Sequence, residues 1–403
     1  MKLSRNVLAL GIVSFFTDVS SEVTVRAIPF FLMNVLGLGE EFVGYIEGAA
    51  QSVVVFFRLV SGILSDRMGR RKPLTLAGYG LSHAVKPLLY LVTSWPGVLA
   101  IRFLDRMGKG VRTAPRDALI AESSPESDRG RAFGFHRAMD TVGSVLGLLI
   151  VIGVARWKLG DANHLDDPTF RILALISCVP AALSMGVLAG FVRETTAISR
   201  TGPPTPALPP LRGGRGFSPG LWRYLAAVFV FNLSMVSDAF YVVRAQELGL
   251  PLWQVFGLVL IMSVVQASVS VPAGILSDRL GRRGLVALGW VVSGLQLLGF
   301  GFATTGLELS GLFVLVGLFL GLTEGNEKAL LTDLAPAELK GTAFGFYNLA
   351  LGVALLVANV ALGELWHRMG PRVAFSTGAV TAVLGASLLA FVPPPRRAPA
   401  PSA

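Results

Sequence analysis

The sequence predicts an all-α membrane protein made of two pseudo-symmetric six-helix bundles, and three observations predict it. First, 53% of the 403 residues are hydrophobic and only 15% are charged, too apolar a balance for a soluble domain of this length. Second, the apolar residues gather into runs of about 20, each long enough to cross roughly 30 Å of hydrocarbon as a helix. Third, a ten-residue segment of one half recurs in the other. A helix satisfies its own backbone N–H and C=O groups, which a bilayer requires of any chain that spans it.

Twelve spans are expected, at 6–36, 42–65, 73–93, 97–122, 131–156, 169–192, 220–247, 251–277, 285–304, 308–333, 341–366 and 370–393. Lys2 and Arg5 before an apolar run imitate a signal peptide. The run continues through Asp18, Glu22 and Arg26 without a clear cleavage site, so it reads as the first span. The formal charge of +10 does not point to nucleic acid, because the basic residues sit in short clusters between apolar runs. Arg67, Arg70, Arg71, Lys72, Arg129, Arg200, Arg212, Arg215, Arg279, Arg282, Arg283, Lys340, Arg396 and Arg397 all fall on one side, against Lys158, Arg368 and Arg372 on the other. The positive-inside rule places both termini in the cytoplasm, with the chain in the inner (cytoplasmic) membrane.

Between the sixth and seventh spans, residues 194–219 are rich in Pro, Gly, Thr and Arg and read as a cytoplasmic linker. It separates an N-terminal bundle, 1–193, from a C-terminal bundle, 220–393, with a cytoplasmic tail at 394–403. The halves repeat each other. Gly62-Ile-Leu-Ser-Asp-Arg-Met-Gly-Arg-Arg71 recurs as Gly274-Ile-Leu-Ser-Asp-Arg-Leu-Gly-Arg-Arg283, shifted by 212, and Ala132-Phe-Gly-Phe135 recurs as Ala343-Phe-Gly-Phe346, shifted by 211. Parallel repeats of this kind are a transporter signature.

From Gly62 to Lys72 the chain resembles the major facilitator superfamily, whose hallmark loop reads Gly-x-Leu-x-Asp-Arg-x-Gly-Arg-Arg/Lys. The twelve spans, the six-plus-six repeat, the linker and the second copy of the loop extend the resemblance over the whole chain. It implies the major facilitator fold, secondary transport by alternating access, and a cytoplasmic latch formed by Gly62, Asp66, Arg67 and Arg70 with Asp278, Arg279 and Arg282. A carboxylate at a helix end can accept from neighbouring arginines or a helix N-terminus, and a glycine there permits close packing. A pure topology signal would account for Arg71 and Lys72 but not for the repeated Asp-Arg-x-Gly. The family's fifth-span antiporter motif has a proline after its second glycine, where this chain has Leu148 after Gly143 and Gly147.

Ionisable residues inside spans carry the most functional information, because each must face a cavity or a partner. Asp18, Glu22 and Arg26 are four apart on one face of the first span, and Asp18 and Glu22 are the residues suited to proton coupling. A permanently paired ion cluster is the structural alternative. In the fourth span Arg102, Asp105, Lys109, Arg112 and Arg116 form a stripe, with Arg106, Thr113 and Asp117 beside it, and Pro115 is placed to bend the helix. His136 and Asp140 share a face of the fifth span.

The resemblance places the first, fourth, seventh and tenth spans around a central cavity. Arg26, Arg106, Lys109, Arg112, Arg116, His136, Asp140, Asn232, Asp238 and Glu324 are accordingly the cavity and substrate residues expected, with Gln266, Asn326, Phe231, Phe240 and Tyr241 as further groups. Basic residues prevail in the first half and acidic ones, Asp238, Glu324 and Glu327, in the second. This suits either a bipolar substrate site or salt bridges between the bundles. Cys178 is the single cysteine, and His83, His136, His164 and His367 show no metal-ligand spacing. No enzyme, metal or cofactor is therefore expected, and no phosphate loop for ATP. A channel would not need two latched repeats. The reading is a monomeric proton-coupled transporter of a small anionic or zwitterionic organic solute, the arginines suiting an anion. Negatively charged metal chelates are a variant, and a proton-coupled exporter of hydrophobic or cationic drugs is the alternative.

Overall fold

The spans predicted from the apolar runs form helices in their expected order, and among the described residues every regular element is helical. The computed structural model describes residues 3–125, 128–194, 217–336 and 339–393, the side chains of Asp66, Asp278, Arg279, Leu280, Lys340 and Gly341 apart. The expected linker lies largely, and the expected tail wholly, outside the described residues.

The first span is the helix Arg5–Val25, then a turn at Arg26, a short stretch Ile28–Phe30 and a π-helical turn Phe31–Val35. Pro29 explains the interruption, since it has no N–H for the carbonyl of Val25 one turn back. The second to sixth spans are Glu40–Met68, Lys72–Ala84, Trp95–Glu122, Arg129–Leu159 and Asp167–Phe191. The eighth to twelfth are Leu252–Leu280, Arg282–Phe302, Gly306–Leu334, Lys340–Met369 and Pro371–Leu389.

Nine helices among the described residues are long and apolar enough to cross a membrane. The third, fourth and seventh spans fall short, each for its own reason. The third breaks after Ala84 into a 3-10 stretch, Lys86–Tyr90, because Pro87 cannot donate to His83 and disfavours a helical conformation at Lys86. The fourth is one continuous helix through Pro115, without the opening expected there, and only its stripe of charges sets it apart. The seventh, expected to be continuous, is two helices, Pro219–Asn232 and Asp238–Glu247. In the break Ser234 donates to Phe231 O at 2.6 Å and Ser237 accepts from Ala239 N, local bonds that compete with the helix and cap the next one.

The second span and its repeat, the eighth, fold alike. A shift of 212 carries Glu40–Met68 onto Leu252–Leu280, each 29 residues long, and each is followed by a left-handed glycine, Gly69 at φ 61° and Gly281 at φ 95°. Only glycine enters that region without strain.

Contacts divide the chain into two compact units. One comprises the described residues of 1–207 with Ser237–Leu260 and Asn359–His367, and the other those of 208–236, 261–358 and 368–403. Within the first unit, segments from both sequence halves are joined by specific bonds. Gln246 donates to Asn34 at 2.7 Å and Tyr45 to Glu364, while Trp366 donates to Glu247 at 3.0 Å within the second half. His367 Nδ1 lies 3.1 Å from Glu41 and 3.9 Å from Glu40. Phe56, Val179, Val271 and Leu295 expose their side chains, as residues solvated by lipid do.

Glycines set the closest helix contacts. A Cβ on Gly143 would meet Phe15 O at 2.4 Å, and one on Gly147 would meet Glu22 Cβ at 2.8 Å, so the fifth span lies directly on the first. Gly134, on the same helix, has nothing within 4 Å of the equivalent position. Gly143→Val should therefore abolish the folded yield or cost about 1–3 kcal/mol, whereas Gly134→Ala should be neutral or stabilising by up to ~1 kcal/mol. Thermal unfolding of the two purified variants checks this.

Candidate functional site

A cavity of about 270 Å³ lies within the first unit. The first span presents Asp18, Ser21, Glu22, Val25 and Arg26 to it, the four-residue spacing keeping the three charges on one face. Glu47 and Gln51 come from the second span, Asp105, Arg106, Lys109 and Arg112 from the fourth, and Ser144 from the fifth. Pro29 and the residues after the seventh-span break, Ser237, Asp238, Ala239 and Val242, complete the lining.

Two ion-pair groups consolidate its walls. Arg26 Nε donates to Glu22 at 2.6 Å, and the same guanidinium donates to Asp238. Asp238 stands in the first turn of Asp238–Glu247, where the helix dipole also favours a carboxylate. In the second group Arg102, only 2% exposed, donates to Glu47 and lies 3.9 Å from Asp105, which accepts from Ser82. The other oxygen of Glu47 accepts from Ser237 Oγ at 3.0 Å, while Ser237 N–H donates to Asn359 Oδ1 at 2.8 Å. The break in the seventh span is thereby fastened to a buried ion pair.

Four lining charges have side chains with no hydrogen bond or ion pair within the described residues: Arg106, Lys109, Arg112 and Asp18. Arg112 lies over the Tyr79 ring at 4.3 Å, and buried nitrogens of Arg106 and Arg112 lack hydrogen-bond partners. Three cations against one carboxylate leave these groups with an excess of positive charge, and buried donors without acceptors are costly until something accepts from them.

Asp18, Glu22, Arg26, Arg106, Lys109, Arg112 and Asp238 are thus brought together as expected. Arg116 does not line the cavity, since one turn beyond Arg112 its guanidinium folds onto Asp117 at 2.8 Å. His136 is buried 3.5 Å from Asp140, and neither reaches the cavity, to which their helix contributes Ser144. Asn232 and Glu324 belong to the second unit, where Asn232 donates to Val228 O at 2.8 Å and Glu324 accepts from Gln266 at 3.0 Å. Phe231 stacks on Trp290 at 4.2 Å, and Phe240 packs against Trp366. Tyr241 is buried, and none of the three aromatics lines the cavity.

Sequence reasoning passed over Glu47, Gln51, Ser21, Ser144 and Ser237. Glu47 carried a usable signal, a lone acid in an apolar span. Lys86 did too. It is 3% exposed, and its Nζ donates to Ser20 at 2.6 Å and Ser21 at 3.2 Å.

At the repeated loops each basic pair binds its own half. Arg71 reaches Glu122 at 3.2 Å and Ser65 at 2.7 Å, and Lys72 reaches Ala189 O at 3.1 Å. Likewise Arg282 reaches Asp333 at 2.7 Å, and Arg283 donates to Val392 O. Arg67 and Arg70 are exposed, and Gly62 packs near Ala114, while the side chains of Asp66, Asp278 and Arg279 lie outside the described residues.

A helical membrane protein of two repeats, with charged groups gathered around a cavity among its spans, belongs to the class of polytopic transport proteins. The model of the Major Facilitator Superfamily matches residues 10–268 and 255–403, and the chain belongs to that superfamily. An MFS-type transporter of Methanocaldococcus jannaschii is 32% identical over 397 residues, covering 97% of this chain and 96% of the relative. Among solved structures, the nucleoside transporter NupG aligns at a TM-score of 0.77 with 11% identity, covering 96% of this chain and 99% of its own. A POT peptide transporter in complex with sulfate aligns at 0.77 with 14% identity, covering 96% and 94%. These likenesses show the fold.

Glu47→Gln should expose how much the walls depend on the buried pair. It leaves Arg102 with only the distant Asp105 as counter-charge, and breaking such a pair by removing one charge costs about 3–5 kcal/mol. A fall in unfolding temperature larger than that of Gln51→Ala checks it.

Proposed function

We propose that this transporter is a secondary active carrier of a small anionic or zwitterionic organic solute, working by alternating access and driven by protons. The observation that carries the reading is the set of lining charges whose side chains have no hydrogen bond or ion pair among the described residues, Arg106, Lys109 and Arg112 against Asp18. Guanidinium groups suit carboxylate or phosphate oxygens, and Asp18 suits an amino group at the other end of a zwitterion. The volume of about 270 Å³ lies near the lower limit of small-molecule pockets, roughly 300–1,000 Å³, which favours a compact solute. Only Val25, Pro29, Ala239 and Val242 offer apolar side chains, little surface for a hydrophobic drug. Of the two proton-coupling carboxylates, Asp18 is favoured, because Glu22 is held by Arg26.

A stability screen of purified protein with anionic, neutral and cationic compounds at two pH values tests the substrate class, because a ligand of the folded state raises its apparent stability. Anions should stabilise. Lys109→Gln and Arg106→Gln should each weaken an anionic ligand about 10- to 150-fold, the worth of one charged hydrogen bond at about 1.5–3 kcal/mol, and leave a neutral analogue unchanged. Stabilisation by cationic compounds alone would favour the drug exporter instead.

The repeated loops are proposed as the cytoplasmic latch, with Asp66 and Asp278 holding the state closed to the cytoplasm. Asp66→Asn keeps the shape and removes the charge. It should shift the equilibrium about five- to 150-fold toward the cytoplasm-open state, the range of coupling energies of about 1–3 kcal/mol. Spin-label distances across the cytoplasmic helix ends read the shift, and an unchanged distribution in both Asp66→Asn and Asp278→Asn would reduce the loops to topology signals.

A further inference from the structure

The second unit contains a buried carboxylate that the cavity does not use. Glu327 of the tenth span is 8% exposed, and each of its oxygens has its own donor. Trp290 Nε1 of the ninth span donates to Oε1 at 2.6 Å, and the Tyr347 hydroxyl of the eleventh donates to Oε2 at 3.1 Å. Tyr224 of the seventh span donates to the Glu327 backbone carbonyl at 2.7 Å. All three donors are neutral. On the same helix Lys328 and Glu324 are exposed, Glu324 accepting from Gln266 on the eighth span. Among the described residues no lysine, arginine or histidine forms an ion pair with Glu327.

The repeat sharpens the contrast. A shift of 211 carries Arg116 to Glu327, Tyr79 to Trp290 and His136 to Tyr347. In the first half the charges are balanced, with Arg116 on Asp117 and His136 3.5 Å from Asp140. The same shift replaces Asp117 by the exposed Lys328 and Asp140 by Leu351. The second half keeps a buried ionisable group at this node, inverts the sign of it and of its neighbour, and leaves that neighbour, Lys328, exposed and out of ion-pair contact with Glu327.

We propose that Glu327 is a proton-binding site of the second half, taking up and releasing one proton on Oε2 between Trp290 and Tyr347. The site accepts both forms of the carboxyl. Indole N–H is a donor only, so Oε1 accepts from Trp290 in either state. A hydroxyl both donates and accepts, so Tyr347 donates to ionised Oε2 and turns to accept from it once it is protonated. Uptake of one proton removes one negative charge from the interior of a membrane-spanning bundle, where an uncompensated charge is expensive. The role in transport rests on the proton-driven reading above, to which it adds a second-half site. The protonation does not depend on it.

pH-difference infrared spectroscopy of the purified full-length protein in nanodiscs, without added substrate, tests the site. Lowering the pH should bring up the carbonyl band of a hydrogen-bonded carboxylic acid. Glu327→Gln, which keeps the size of the side chain and an acceptor for Trp290, should remove that band. Tyr347→Phe should keep it but shift it to higher frequency, because one hydrogen bond is gone. Persistence of every pH-dependent carboxyl band in Glu327→Gln overturns the proposal. If that variant does not fold, an unshifted set of bands in Tyr347→Phe overturns it equally. The expected bands in a protein whose transport ignores a pH gradient would uphold the proton site and defeat proton-driven transport.

Discussion

The cost of placing charge inside a membrane-spanning bundle is the constraint on which the rest of this structure depends. Arg102 is almost wholly enclosed, and its pairing with Glu47 orders elements far apart in sequence. Glu47 fixes Ser237, Ser237 engages Asn359, and the short helix that begins at Asp238 is thereby held where Asp238 meets Arg26. Removing one charge would leave its partner buried alone, so these ties support one another. The cavity is what remains when most of these charges have been matched and a few have not.

Much of the fold was legible in the sequence because span length and backbone self-sufficiency leave a membrane chain few options. The failures were local and chemical. Pro29 and Pro87 interrupted helices that hydropathy alone would continue, whereas Pro115 did not interrupt the fourth span. The seventh span broke at serines, whose hydroxyls offer the backbone an alternative that no average over a window registers. The candidate site was legible as far as periodicity reaches. Four-residue spacing placed Asp18, Glu22 and Arg26 on one face, and the alternating three- and four-residue spacing of the fourth span put Lys109 and Arg112 into the cavity while Arg116, one turn further, folded onto Asp117. Partnerships across spans were not legible. Glu47 was invisible as the counter-charge of Arg102 because no local pattern joins them.

The two repeats show how one scaffold carries different chemistry. The second and eighth helices keep their length and the glycine that ends them, while the polar groups on matching helices are redistributed. The fourth span is crowded with arginine and lysine, and the matching tenth is apolar apart from Glu308 in its first turn and a few groups in its last third. Backbone geometry is retained because packing demands it, and the side chains that face the interior are free to diverge.

The contact of Gly143 with Phe15 has a mechanical meaning beyond packing. Backbone lies against backbone there, and Gly147 repeats the arrangement one turn along against Val19 and Glu22. Two helices in such contact at successive turns have no cushion of side chains to slide on or compress. They form a single stiff lever. Any rotation of the first span that displaces Glu22 and Arg26 must carry Ser144 with it, so this wall of the cavity moves as a plate and not as separate side chains.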